Sequence, residues 1–410
     1  MASPSTWIIP LTQWILVQLL TGCTIAFAPA SSKLRPAVTV AILALAASFQ
    51  LQTPHSLAQT RARGPLAAMC WVNVLNAIDL LLLSRVSFAA QIAWESSTGK
   101  KFNTDTNSDT RLRVHLRRLR WSLETPFNYR RINTPWQIHA VPPFNAADPT
   151  AVPARAVFLR ACALKVLASL LVLQLCTVDA RDEALARVIP DLVEGKVVLW
   201  PWWEGWTTRR AVVQVLFCVA FGCVTRAAIL GTYNLVAGVL VLARVWEPVD
   251  WPPIFGEVGE MYSLTRVWGI AWHQILRQLI TSNADFVLSR ILRLPAGTLA
   301  RSLRLILAFA VSGLVHFFMD LGFGVSLDQS GGLWFFCLQV PGILLENLVW
   351  STCHATIKQM SVRMRRVVGD SMNAAVIEAE PQATSYKLQA TDQAPASLAL
   401  IQLLHLQEEL

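Results

Sequence analysis

The stretch LRLILAFAVSGLVHFFMDLG, residues 303–322, is long and apolar enough to cross a bilayer as a single helix. It carries one histidine, His316, beyond its midpoint. An ionisable side chain at that depth is costly, and it usually faces a cavity or the interior of a helix bundle. The stretch therefore predicts an α-helical membrane protein with a polar centre at His316.

The composition of the whole chain agrees with this prediction. Of the 410 residues, 54% are hydrophobic and only 15% are charged, and the mean hydropathy is +0.45. These values predict an all-α, polytopic integral membrane protein rather than two or three soluble domains. The net charge of +9 is attributed to cytoplasmic loops near anionic lipid, and no nucleic-acid partner is expected. The scattered cysteines indicate neither a disulfide framework nor a metal site.

Hydropathy predicts seven or eight membrane-spanning helices. The first is expected to be a retained helix rather than a signal peptide, because no basic residue precedes it. Gly231 and Asn234 are expected to divide one long apolar region into two short spans. Asn76 and Asp79 are three residues apart in the third span and should point into the bundle. The predicted spans are 7–28, 36–51, 65–83, 157–178, 212–230, 233–245, 303–321 and 333–349.

The chain divides into four segments by composition. RLRVHLRRLRW, residues 111–121, has apolar positions at helical spacing among five arginines, which predicts a basic amphipathic helix on the cytosolic membrane surface. Attraction of an anionic cofactor such as coenzyme A is an alternative role for it. The predicted segments are N-terminal transmembrane helices in 1–92, a cytosolic basic loop in 93–152, the main membrane core in 153–369, and an acidic, disordered tail in 370–410.

His316 has the chemistry that acyl transfer to an alcohol requires. A buried neutral imidazole can accept the proton of a hydroxyl group. Ser312 and Gly313 precede it by four and three residues, so they share its helical face and would leave room for a substrate. Taken alone, His316 favours a structural role, in which the ring is bonded across helices.

A second polar motif lies in WPPIFGEVGEMYSLTRVWGIAWHQILRQ, residues 251–278. If the segment is helical, three of its cationic or titratable side chains fall on roughly one face. A cationic face lined by aromatic rings suits a phosphorylated cofactor, although the lumen of a transporter or channel is also compatible with it. The residues of interest are Arg266, Trp268, Trp272, His273, Gln274 and Arg277.

Together, residues 251–278 and the run FAVSGLVHF, residues 309–317, resemble the wax-synthase-like branch of the membrane-bound O-acyltransferases. The likeness is greatest to fungal members that acetylate terpenoid and meroterpenoid alcohols in secondary metabolism. RRINTPWQIHAVPPFN, residues 130–145, is similar to a pattern found upstream in the same family. The resemblance covers roughly residues 130–369 and implies a catalytic chamber within the helix bundle of a multi-pass protein of the endoplasmic reticulum.

The resemblance also implies roles for individual residues. His316 would be the catalytic histidine and His273 the polar residue that faces it across the chamber. The donor would be acetyl-CoA and the acceptor a hydrophobic alcohol, with no metal and no acyl-enzyme. The residues assigned to the coenzyme are Arg266 and Arg277 for its phosphate end, together with Trp268, Trp272 and Gln274.

Two features depart from the family pattern. Ile270 follows Trp268 and Gly269, where relatives usually have arginine. After Gly369, relatives usually continue into a further hydrophobic span, whereas this chain continues into the acidic segment. Two alternatives stay open at this stage: a wax synthase that joins a long-chain acyl-CoA to a fatty alcohol, and a non-enzymatic transporter. The sequence does not predict an oligomeric state.

Overall fold

The computed structural model describes residues 5–57, 62–99, 111–176, 207–328 and 330–358. Within these residues the chain forms helices and turns, with no strand. The predicted disordered tail, residues 370–410, lies outside the described residues. The long helices are α1 (Ser5–Phe27), α2 (Leu34–Ser56), α3 (Arg63–Ile78), α4 (Phe88–Thr98), α5 (Arg111–Glu124), α6 (Arg155–Cys176), α7 (Thr208–Leu242), α8 (Arg277–Phe286), α9 (Thr298–Phe323) and α10 (Gly332–Lys358).

Among the described residues, seven helices are long and apolar enough to cross a membrane, as the sequence predicts. The polypeptide packs as two compact units. One unit comprises Met1–Arg130 with Gly256–Leu410, and the other comprises Arg131–Phe255. The membrane core predicted for residues 153–369 thus contributes to both units. The membrane-length helices are Ile8–Phe27, Leu34–Ser56, Arg63–Leu83, Arg155–Cys176, Val219–Leu242, Thr298–Phe323 and Gly332–Thr352.

The division predicted at Gly231 and Asn234 is wrong, because α7 runs through both positions without a break. The Asn234 amide donates to the carbonyl of Leu230, one turn earlier, which leaves the helical hydrogen bonds intact. Gly231 serves close packing instead, since an added Cβ would lie 2.9 Å from the Cβ of Ser169 on α6. Glycine therefore permits the two helices to approach each other here.

In the unit Arg131–Phe255, α6 and α7 pair along their length and the following loop folds back on them. Arg155, at the start of α6, donates to the carbonyl of Val241 near the end of α7, at 2.7 Å from Nη2. Tyr233 donates its hydroxyl to the carbonyl of Pro252 at 2.7 Å. The first bond ties α6 to α7, and the second ties α7 to the loop that follows it.

The other unit is built around the contact between α3 and α9. Gly64 and Gly322 lie in this contact, and an added Cβ on Gly322 would come within 2.6 Å of the Ala67 Cβ. One turn inward, the rings of Trp71 and Phe318 stack with centroids 3.9 Å apart. Small residues let the two helices approach closely, and this fixes the position of the half of α9 that carries His316.

Polar residues at the end of α3 and at the start of the π-helical turn that follows it point into this unit, which confirms the prediction for Asn76 and Asp79. Both are fully buried. Asn76 donates to the carbonyl of Pro126 at 2.7 Å, and Asp79 accepts from Ser84 at 2.8 Å. A buried polar group is costly without a hydrogen-bond partner. These bonds therefore explain how the side chains of Asn76 and Asp79 can be buried.

The predicted amphipathic helix is present as α5, Arg111–Glu124. Its last turn packs against α1 at Gly22, where an added Cβ would lie 3.0 Å from the Leu123 side chain. Leu112 and Leu116, on the same helical stripe, are 66% and 57% exposed. The exposed stripe is compatible with the membrane-surface role, which stays a prediction.

Candidate active site

The second polar motif is not a continuous helix, and this corrects one prediction. The turn Leu264–Arg266 is α-helical, Val267–Ala271 forms a π-helical turn, and Trp272 is extended, with φ −76° and ψ 163°. Regular helix resumes only at Arg277. Arg266, His273 and Arg277 therefore do not share one helical face, because the wider π turn and the extended residue both change the register.

One face of α10 holds this motif in place. Glu346 accepts from the backbone N–H of Leu264 and of Thr265, at 3.2 and 3.1 Å, and from the Thr265 hydroxyl at 3.0 Å. One to two turns earlier, Gln339 accepts from the indole N–H of Trp268 at 3.3 Å. Between them lies Gly342, where an added Cβ would lie 2.8 Å from the Leu264 side chain. Positions 339, 342 and 346 fall on one helical face, which therefore forms a rigid backing for the motif.

His316 lies against an aromatic wall. Its ring stacks on Phe336 of α10, with centroids 4.3 Å apart and 24° between the ring planes. Trp268 meets Phe336 at 5.6 Å and Phe309 at 5.6 Å, the latter edge to face. Trp268, predicted as a coenzyme contact, thus helps to build the wall on which His316 rests.

His273 lies near His316. Burial, and secondarily the proximity of His316, lower the pKa of His273 to about 4. Its ring centroid is 5.7 Å from that of Trp272, which follows the π turn. The structure thus brings two predicted site residues from separate segments into one region, with His273 neutral at physiological pH.

Both predicted phosphate-binding arginines have partners within the protein. Arg266 forms an ion pair with Glu260, and its guanidinium lies over the ring of Tyr262 at 4.9 Å. Arg277 donates to the carbonyl of Gly269 inside the π turn, and burial lowers the pKa of Arg277. In this structure, both side chains stabilise the fold of the motif.

Gln274, the residue after His273, has an unusual environment. Its side chain is only 3% exposed, and its side-chain carbonyl has no hydrogen-bond partner among the described residues. A buried acceptor without a donor costs about 1–3 kcal/mol. The carbonyl of Gln274 is therefore available to accept an N–H or O–H from a bound molecule.

Of the two small residues predicted to make room for a substrate, Gly313 has its space filled by the protein. An added Cβ there would lie 3.0 Å from the side chain and 3.1 Å from the Cα of Leu333 on α10. Gly313 therefore allows α9 and α10 to approach each other. Ser312 is partly buried on the adjacent position of α9.

Two residues near His316 were not identified from the sequence. Asp320 follows His316 by four residues, and this spacing on a predicted helix is a signal that could have found it. Phe336 stands on a different helix, and nothing in the sequence indicates that it stacks on His316. No cluster of three metal-ligating side chains occurs in the part of the chain that the structure describes, and the expected absence of a metal stays a prediction.

Seven membrane-length helices among the described residues define a multi-pass membrane protein. Residues 251–338 match the model of the membrane bound O-acyl transferase family. The chain is 30% identical to acetyltransferase fsoF of Humicola fuscoatra over 289 residues, which cover 67% of this chain and 69% of that one. The chain belongs to the membrane-bound O-acyltransferase family and is an acyltransferase.

Other relatives match over most of their length. Acetyltransferase aurG of Calcarisporium arbuscula is 28% identical over 384 residues, 88% of each chain. Acetyltransferase pyr8 of Aspergillus fumigatus is 27% identical over 361 residues, 86% of this chain and 78% of that one. No solved structure matches the chain. Family membership implies an acyl-CoA donor, a lipid-soluble acceptor and a membrane environment.

Proposed function

We propose that this protein transfers the acetyl group of acetyl-CoA to a hydroxyl group of a hydrophobic secondary metabolite, of the terpenoid or meroterpenoid class. The observation that carries the proposal is the convergence of His316 and His273 beside one aromatic wall. The relatives aurG, fsoF and pyr8 are each named acetyltransferases, which supports acetyl as the transferred group.

In the proposed mechanism, His316 is the general base. Its neutral imidazole takes the proton of the acceptor hydroxyl while the oxygen attacks the thioester carbonyl carbon. The C–S bond of the tetrahedral intermediate then breaks, and the departing thiolate recovers the proton from His316. The ester and free CoA are the products, so atoms and charges balance without a metal or a covalent acyl-enzyme.

His273 is proposed to assist by orienting or polarising the reacting groups. Because its lowered pKa keeps it neutral, its ring can donate one N–H to the thioester oxygen. Charge that develops on that oxygen in the transition state would be stabilised by such a preorganised donor. A neutral His273 also avoids electrostatic repulsion with His316 when the latter becomes protonated.

The residues around His273 fit the arm of coenzyme A. The pantetheine portion carries amide N–H groups, and the buried carbonyl of Gln274 lacks a donor. Arg266 and Arg277 are the proposed contacts for the phosphate end. Each holds a protein partner, but a guanidinium has five N–H donors and can bind a phosphate as well. Trp272 is a proposed contact as well.

A wax synthase is the alternative function within the same family. Nothing in the described residues measures the length of the acyl chain that the site accepts, so the preference for acetyl rests on the relatives. We also propose the endoplasmic reticulum as the location, which is compatible with a multi-pass membrane protein.

A matrix of two donors and two acceptors tests the proposal. Purified membranes containing the protein are given acetyl-CoA or palmitoyl-CoA, each with a terpenoid alcohol or hexadecanol. We expect ester formation only with acetyl-CoA and the terpenoid alcohol, detected by mass spectrometry. Membranes with His316→Ala are the control. Formation of hexadecyl palmitate in preference to the acetate would overturn the proposal and favour a wax synthase.

A further inference from the structure

Asp320 and Gly332 connect α9 to α10 beside His316. Asp320 lies one turn after His316 on α9. Its Oδ2 accepts from the Ser330 hydroxyl at 2.8 Å and from the backbone N–H of Gly332 at 3.2 Å. Gly332 is the first residue of α10, so the carboxylate satisfies an N–H that has no partner within its own helix.

The contact is too close for a side chain. A Cβ added to Gly332 would lie 3.1 Å from the Cβ of His316 and 3.1 Å from Oδ2 of Asp320. The start of α10 therefore rests directly on the turn of α9 that carries the predicted general base. A carboxylate at this position also interacts favourably with the positive end of the α10 dipole.

The same end of α10 holds the ring that packs on His316. Phe336 follows Gly332 by four residues, so both lie on one face of the helix. Its ring stacks on the imidazole at a centroid distance of 4.3 Å. The chain of contacts thus runs from Asp320 through the first turn of α10 to Phe336, and from Phe336 back to His316.

We propose that Asp320 is a positioning residue for acyl transfer. It clamps the first turn of α10 against α9, so that Phe336 holds the imidazole of His316 at the angle required to accept the proton of the acceptor hydroxyl. This inference rests on the proposed role of His316. Ser330 contributes a second donor to the same carboxylate oxygen, but it precedes α10 and is not part of the helix that carries Phe336.

Activity measurements test the consequence of the clamp. Asp320→Ala should lower kcat by between about 10- and 100-fold, the cost of a small misplacement of a catalytic group, with little change in KM for acetyl-CoA. Asp320→Asn should stay within a few-fold of wild type, because its amide oxygen can still accept from Gly332. Ser330→Ala, the matched control, should also retain activity.

A double-mutant cycle separates positioning from a general loss of stability. If Asp320 acts through Phe336, Asp320→Ala combined with Phe336→Ala should be no slower than Phe336→Ala alone. The proposal would be overturned if the rate loss of the double variant equalled the product of the rate losses of the two single variants. If the Asp320→Ala protein does not accumulate, Asp320→Asn provides the test. An Asp320→Asn protein that accumulates normally yet loses activity would overturn the proposal, because the charge of Asp320 would then matter rather than the clamp.

Hydrogen exchange tests the clamp without activity. The amides of residues 332–336 should exchange faster in Asp320→Ala than in wild type or Ser330→Ala, while the amides of α3 should not change. A wild-type protein that transfers no acyl group would contradict the proposed function and leave this measurement valid. Unchanged exchange at residues 332–336 in Asp320→Ala would overturn the clamp itself.

Discussion

At the scale of single residues, two histidines are proposed to carry the chemistry, and they lie in different environments. His316 packs on Phe336 in the second half of a membrane-length helix. His273 lies in an irregular segment, and its pKa is lowered to about 4 by burial and by His316. His316 is the proposed base, and His273 is the proposed polarising group.

The neutral state of His273 leads to a prediction about pH. Because its pKa is lowered, His273 gains a proton only near pH 4 and stays neutral at all higher pH values. His273→Gln should therefore lower the rate but leave the shape of the pH–rate profile unchanged between about pH 6 and 8. Initial rates across that range, for both proteins, provide the measurement. If an ionisation visible in the wild-type pH–rate profile between about pH 6 and 8 were missing from that of His273→Gln, the assignment of His273 as a neutral group would be contradicted.

Gln274 allows a second prediction at this scale. Its unpartnered carbonyl is proposed to accept from the coenzyme arm, so Gln274→Leu should raise KM for acetyl-CoA by about 10-fold, the value of one hydrogen bond to a buried acceptor. The kcat value should change less. Titration of acetyl-CoA at saturating acceptor measures both constants. An unchanged KM for acetyl-CoA in Gln274→Leu would contradict the proposal that Gln274 contacts the coenzyme.

At the scale of elements, the sequence indicates which residues belong to the site but not how the backbone presents them. The pairing of His273 with His316 follows from motif resemblance. The π turn at Val267–Ala271 and the extended Trp272 do not, because hydrogen bonds donated to Glu346, on a helix distant in sequence, help to fix this segment. Tertiary contacts of this kind override local helical periodicity.

Glu346 therefore should be essential for the shape of the motif. Glu346→Ala removes the acceptor of two backbone N–H groups and one hydroxyl. The N–H of Leu264 is exposed, but the two donors of Thr265 are partly buried. An unsatisfied buried donor costs about 1–3 kcal/mol, so activity should fall by about 10-fold. Glu346→Gln keeps one acceptor oxygen and should lose less. Acyl transfer per mole of detergent-extracted protein provides the comparison, and equal activity of Glu346→Ala and wild type would contradict it.

Gly256 supports the same motif from the other side. A Cβ added to Gly256 would lie 2.5 Å from the carbonyl oxygen of Ile270, whereas a Cβ on Gly259 would meet nothing within 4 Å. Gly256→Ala should therefore displace the π turn and lower activity, while Gly259→Ala should resemble wild type. Thermal inactivation of both variants in detergent provides the second readout. Matching behaviour of the two alanine variants would show that the close approach is unimportant.

At the scale of the whole molecule, hydropathy predicts the membrane helices well, because length and apolar composition decide whether a helix can span a bilayer. The error at α7 has a physical reason. Gly231 suggests a break when sequence is considered alone, but in the structure it permits contact with Ser169. Contacts such as that of Phe336 with His316 depend on which helices become neighbours, and no local pattern encodes this.

The account as a whole depends on His316 acting as the base for acyl transfer. The most direct measurement is transfer from radiolabelled acetyl-CoA to a hydrophobic alcohol by purified protein in lipid vesicles, comparing wild type with His316→Ala. The account predicts labelled ester from wild type and a loss of at least about 100-fold in the variant, with equal protein recovery. Full transfer by His316→Ala would contradict it.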